Sequence, residues 1–270
     1  MTAATQTIDT PPAGHYRVKH VARSEVVKIL TLRSTPITLG LTVVAALVVT
    51  ALAAHSATHD ARFGLGFDPT QQSLVGLIVA GLTGGVFGAM LITGEYSSGT
   101  IRTTLAAAPK RPVVLAAKIV VTAAATVVFC EGLSFVSFFL GQAVLSNGGA
   151  PTASLGSPGA LRAVVMTGLF IALLALMSFG FGLIFRSTAA AIAAFVGVVF
   201  VLPLVMHGIS EHAMRYLPTN ILTDSVMSTV NQGSGGPYQP VSPAVGLVLM
   251  ALYAAIALAA GAALFVRRDA

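Results

Sequence analysis

The chain has 270 residues, 55% hydrophobic and 9% charged, with a formal net charge of +6. A soluble domain carries about 25% charged residues, so a water-soluble fold is excluded for want of polar side chains to cover it, whereas a bilayer tolerates an apolar exterior. The positive charge does not point to nucleic acid, because Lys and Arg stand at the ends of apolar runs, and a lone cysteine, Cys130, cannot form an internal disulfide or a metal cage.

Residues 1–20 are rich in Thr, Ala and Pro toward the start and read as a disordered tail. They lack the apolar core of a cleavable signal peptide, so the first apolar run is expected to stay in the membrane. Residues 20–34 mix apolar and basic positions at partial helical spacing, as an amphipathic helix lying on a membrane surface does. The remainder, 21–270, reads as one all-α membrane domain. A helical span needs roughly 20 apolar residues, and six runs meet that need, at about 36–54, 73–93, 113–145, 161–185, 189–206 and 243–266.

The second run contains Gly81, Gly84, Gly85 and Gly88, two pairs four residues apart. Such small-residue faces let helix backbones approach closely in lipid, within one subunit or across a dimer. They are not a phosphate loop, since no GxxxxGK[ST] pattern occurs. The fourth and fifth runs are joined by only Arg186, Ser187 and Thr188, so the fifth must fold straight back, and Pro203 is placed to kink it. Between the fifth and sixth runs, residues 217–230 put Ile221, Leu222, Val226, Met227 and Val230 near one helical face. Thr219 or Asn220 is available as the cap of a short, partly inserted helix.

Orientation follows from the basic residues flanking the spans. With six spans, twelve Lys and Arg fall on the side of the two termini and of residues 94–112, against three, Arg62, Arg162 and Arg215, on the other. Both termini and the 94–112 segment are therefore expected in the cytoplasm.

Residues 94–112 form a polar segment between the second and third spans. Ser97 or Ser98 can cap a short helix running to about Ala107, on which Ile101 and Leu105 share one face, and Pro109 and Pro112 punctuate its end. A short rod held between two spans can transmit force if another protein grips it. The run Glu95, Ser98, Gly99, Thr100, Ile101, Arg102, then Leu105, Pro109, Lys110, Arg111 and Lys118 resembles the coupling segment of type-2 ABC exporter permeases. The segment SEVVKILTLRSTP resembles that family's interfacial helix, and the stretches at 186–205, 216–220 and 264–270 are similar to its later elements. The likeness covers most of residues 22–270.

The resemblance implies a transmembrane permease subunit with a short cytoplasmic coupling helix between spans two and three. A second permease subunit, identical or related, completes it in the membrane. Separate ATPase subunits carry the ATP and Mg, with no cofactor and no catalytic residue in this chain. The coupling contact would be made by Glu95, Ser98, Gly99, Thr100, Ile101, Arg102 and Leu105, in a bacterial plasma membrane, for export of a hydrophobic or amphipathic substrate.

Glu131 stands near the middle of the third span, where a charge costs about 2.5–3.5 kcal/mol to insert. It is a candidate for the translocation path, or for an interhelical hydrogen bond. In a different reading it is the ion or proton group of a secondary transporter or channel. His207, Glu211 and His212 lie close in sequence without a third strong ligand beside the first pair, so no metal site is expected.

Overall fold

A computed structural model describes residues 18–31, 34–59, 67–101, 103, 111–207, 209, 211–226 and 241–267. Most of these residues are helical, with no strand among them. The elements are α1 (Val18–Thr31), α2 (Ser34–His59), α3 (Pro69–Leu74), α4 (Leu77–Ser97), α5 (Arg111–Asn147), α6 (Ala160–Phe185), α7 (Thr188–Val196), a π turn (Gly197–Val201), α8 (Leu202–His207), α9 (Glu211–Met214), α10 (Pro218–Ser225) and α11 (Pro243–Arg267). Six helical stretches are long and apolar enough to cross a membrane: α2, α3–α4 together, α5, α6, the run from α7 to α8, and α11. The chain is a multi-pass membrane protein by this measure.

The side chains on α2 show which solvent the fold is built for. Its buried positions are Thr35, Thr42, Ala46, Thr50, Ala54 and Ala57. The exposed ones include Ile37, Leu41, Val44, Val48 and Leu52, most of them more than half exposed. A soluble amphipathic helix does the reverse. Small and hydroxyl residues inside with branched apolar residues outside suit a helix that packs on protein with one face and lipid with the other. The inward Thr42 satisfies its hydroxyl on its own helix, at the Thr38 carbonyl, 2.9 Å away.

Helix α6 is the most enclosed span and the hub of the bundle, packing against α4, α5, α7 and α11. Its partners come close because glycine lines the seams. A side chain at Gly88 of α4 would collide with the Ala175 carbonyl of α6, and one at Gly180 of α6 would lie 2.6 Å from the Ala257 carbonyl carbon on α11. At the far end of α5, Gln142 Nε2 donates to the Pro69 carbonyl (3.0 Å) and to Ser73 Oγ (2.9 Å), while its Oε1 accepts from the Ala153 N–H (2.7 Å). One side chain thus fixes α3 and the loop before α6. Asp68 caps α3 by accepting from the Thr70 and Gln71 N–H groups, with Pro69 supplying the first helical residue.

The fifth span is interrupted. Pro203 has no N–H, which leaves the turn before it one donor short. The backbone widens there into the π turn, and the Thr219 hydroxyl from α10 donates to the Val199 carbonyl. The kink expected at Pro203 is therefore absorbed as a π turn braced from outside the span. Thr219 does not cap α10, as its sequence position suggested. The N-cap is Leu217 without a side-chain bond, Pro218 follows it, and Asn220 donates to the Met214 carbonyl at 2.9 Å. His207 ends α8 and Glu211 begins α9, so the two do not share one helix.

Candidate functional site: a buried charge cluster

Four charged residues from three elements meet at one end of the bundle. Lys118, in the second turn of α5, is 3% exposed; Glu25 of α1 is 4% and Glu95 of α4 is 7%. Lys118 Nζ donates to Glu25 Oε2 and to Glu95 Oε1, the latter at 2.5 Å. Lys28, one turn beyond Glu25 on α1, donates to Glu25 Oε1 at 2.9 Å and to Glu95 Oε1 at 3.2 Å. Two carboxylates and two ammonium groups sum to zero, which is the condition under which charges can be taken out of water together.

The groups on α1 titrate accordingly. Burial pushes the Glu25 carboxyl up, but Lys118 and Lys28 together hold it below the ordinary value of 4.5. Burial pushes the Lys28 ammonium down, but Glu25 and Glu95 hold it above 10.5. Both stay charged across the neutral range.

The segment after α4 is held by a second, apolar contact. Helix α4 stops where Gly99 takes the left-handed conformation, φ 70°. Thr100, Ile101 and Thr103 are again helical. Ile101 is only 2% exposed and packs with Ile92, Leu115, Phe179, Leu183 and Phe265. Ile101 therefore turns toward the bundle and not outward. Its neighbours Ser97, Ser98, Thr100 and Thr103 are the outward residues. Ser98 Oγ is 2.8 Å from the Gly94 carbonyl and 2.9 Å from Thr100 Oγ1, so it braces the turn and does not cap a following helix. Arg102, Leu105, Pro109 and Lys110 lie outside the described residues. Nearby, the Arg186 guanidinium lies over the Tyr96 ring at 5.3 Å, and Thr188 donates to Thr93 Oγ1 at 2.8 Å, joining the start of the fifth span to the end of α4.

Glu95 and Ile101 thus face inward, from a ledge whose outer surface is Ser97, Ser98, Thr100 and Thr103. Lys118 is the centre of the cluster. Glu25 was not anticipated at all. The available signal was that it is the sole acidic residue in a basic helix from Val18 to Thr31, an exception a membrane-surface helix does not need.

Glu131 is elsewhere, on α5 against Gly168 of α6, and its Oε1 is buried with no hydrogen-bond partner. The four glycines of α4 make their contacts within this chain. Gly81 faces Leu222 and Leu174, with room for a Cβ only at 3.2 Å; Gly84 faces Ile171 at 3.4 Å; Gly85 is filled by the Phe195 ring and Gly88 by the Ala175 backbone. No group of three metal-ligating side chains occurs among the described residues.

The chain matches no curated protein. Residues 42–270 match the family described as "Protein of unknown function (DUF2705)". That match spans most of the chain and takes in five of the six spans whole, Glu95, Lys118 and Glu131; the chain belongs to the DUF2705 family.

Proposed function

We propose that this chain is the membrane-spanning permease subunit of an ATP-driven exporter of the type-2 ABC class. The observation that carries the reading is the charge cluster. A load applied to the Ser97–Thr103 ledge reaches α4 through the backbone, α1 and α5 through Glu95, and α6 and α11 through Ile101. Breaking a buried ion pair by removing one partner costs about 3–5 kcal/mol, so the joint transmits displacement before it yields. A loop that only linked two spans would have no use for it.

In this reading the ledge, both termini and α1 face the cytoplasm, and α1 is the interfacial helix. Two permease subunits stand side by side, and two separate ATPase subunits, which hold ATP and Mg, dock beneath them. Ser97, Ser98, Thr100 and Thr103 contact the ATPase, and Glu95 and Ile101 pass its motion inward. The cargo is hydrophobic or amphipathic, moving outward across a bacterial plasma membrane. The test is ATP hydrolysis by the co-purified ATPase in proteoliposomes. The double variant Ser97→Trp/Thr103→Trp, at two exposed positions of the ledge, should abolish permease-dependent stimulation without changing the thermal midpoint of the permease; stimulation at the unaltered level contradicts the reading. Replacing Ile101 would not serve, because its burial confounds docking with folding.

One observation favours a second reading, a secondary transporter that uses Glu131. Its carboxyl stands within a span with one oxygen unpartnered. This reading predicts transport in vesicles that lack any ATPase, abolished by Glu131→Gln. The exporter reading predicts no transport there.

A further inference from the structure

Helix α2 starts at Ser34, close after α1, and its exposed apolar band runs from Ile37 to Leu52. Just past that band, at the end of α2 remote from the charge cluster, stand His55 and His59, both exposed. Four residues apart on a helix, they share a face. Their Nε2 atoms are 3.2 Å apart, and the rings meet edge to face with centroids 4.6 Å apart. Whichever tautomer is present, one ring turns a nitrogen lone pair toward the other. As a hydrogen bond between exposed rings this contact adds little, because each nitrogen bonds water as well.

The same spacing is the bite of a metal ion. With metal–nitrogen bonds of roughly 2.0–2.1 Å, two imidazoles stand about 2.9 Å apart at a right angle and about 3.4 Å apart at the tetrahedral angle. The separation of 3.2 Å lies between these. The turn that carries the rings is fixed from behind. Ala54 and Ala57 are buried in a cluster with Leu145 and Ala150, and a side chain at Gly148 would lie 2.3 Å from Thr58 Cγ2. The backbone is thus already in place, and only two exposed rings need turn for both lone pairs to meet on one ion. The carbonyl end of a helix also favours positive charge.

The donor set selects the ion. Imidazole suits Zn, Cu and Ni, whereas Ca and Mg take oxygen ligands. No third His, Cys, Asp or Glu completes the set among the described residues, so water fills the other positions. Affinity for such a site rises along the divalent series to Cu²⁺. We propose that His55 and His59 form a two-histidine site for a divalent transition-metal ion, on the exposed face of the last turn of α2. The site is independent of the exporter reading and requires no ATPase.

The test adds one equivalent of Cu²⁺ to the full-length protein, purified on a tag without histidine and held in nanodiscs. Electron paramagnetic resonance should show nitrogen coupling from two imidazoles at a single site. Excess Zn²⁺ should displace the copper, and Mg²⁺ should not. His55→Ala and His59→Ala should each leave one imidazole on the metal and weaken binding by about tenfold or more, since even the outer partners of metal ligands are worth that much. His212→Ala, at an exposed position of α9, should change neither the signal nor the affinity. Both substituted rings on α2 are exposed, so helical circular dichroism should match the wild type. A two-imidazole signal that survives His55→Ala, coupling from one imidazole in the wild type, or wild-type affinity no tighter than that of the double variant would each overturn the proposal. None of these outcomes alters the ATPase-stimulation result.

Discussion

At one end of the bundle, Glu25, Lys28, Glu95 and Lys118 lock α1, α4 and α5 through buried charge. At the other, Thr219, Tyr253 and Gln142 hold short elements against long ones with neutral hydrogen bonds. The two kinds of contact differ in how they yield. A neutral hydrogen bond contributes about 0.5–1.5 kcal/mol net and can open without leaving a charge in an apolar place. A buried ion pair cannot be parted without a larger penalty. On the exporter reading proposed above, the first end would move as a unit and the second would release. In an exporter these are the properties wanted of the input and of the exit.

The sharpest way to break the comparison is Lys118→Met. It leaves two buried carboxylates facing Lys28 alone and should cost about 3–5 kcal/mol, read as a lowered thermal midpoint in detergent. Glu25→Gln added to it should recover part of the loss, because one stranded charge is then gone. Equal midpoints for wild type and Lys118→Met would show that the cluster holds nothing.

A smaller effect is expected at the other end. Thr219→Val removes the donor to the Val199 carbonyl and should cost about 1–2 kcal/mol. It should appear as faster hydrogen exchange in α10 with α1 unchanged. Pro203→Ala in the same chain returns a backbone N–H to the fifth span and should offset part of it. Exchange that rises equally at both ends would erase the distinction between them.

The smallest effect is that of pH on α1. The Glu25 carboxyl is held below its ordinary value, so its contribution is present above that value and lost as pH falls through the lowered one. The Lys28 ammonium is held above its ordinary value, so its contribution is present below 10.5 and lost as pH rises through the raised one. Protease access to α1 should therefore be flat through neutral pH, rising only in acid below 4.5 or in strong alkali. A transition near pH 7 would mean that another group governs the contact.

Much of the fold was legible because the bilayer imposes a coarse rule on composition. Runs such as those now α2 and α11 have few alternatives. The site was legible in part. Glu95 and the Ser98–Ile101 stretch stood out through spacing and resemblance. The direction each side chain faces did not, because Ile101 joins an apolar cluster with Phe179 and Phe265, from helices far along the chain. Glu25 stood out only as the lone acid of a basic helix, and its pairing was not legible because Lys118 is 93 residues away. Thr219 suits a helix cap by local pattern, and only the missing N–H of Pro203 on another element explains its actual use.

The most direct test is a photo-crosslinker at Ser98, on the outer face of the ledge. A benzoylphenylalanine replacing Ser98 in cells, irradiated before membranes are solubilised, should yield an adduct between this chain and an ATP-binding subunit. The same probe at Ile37, on the lipid face of α2, should give none. Adducts from Ser98 only to lipid or to proteins on the outer side of the membrane would contradict the account.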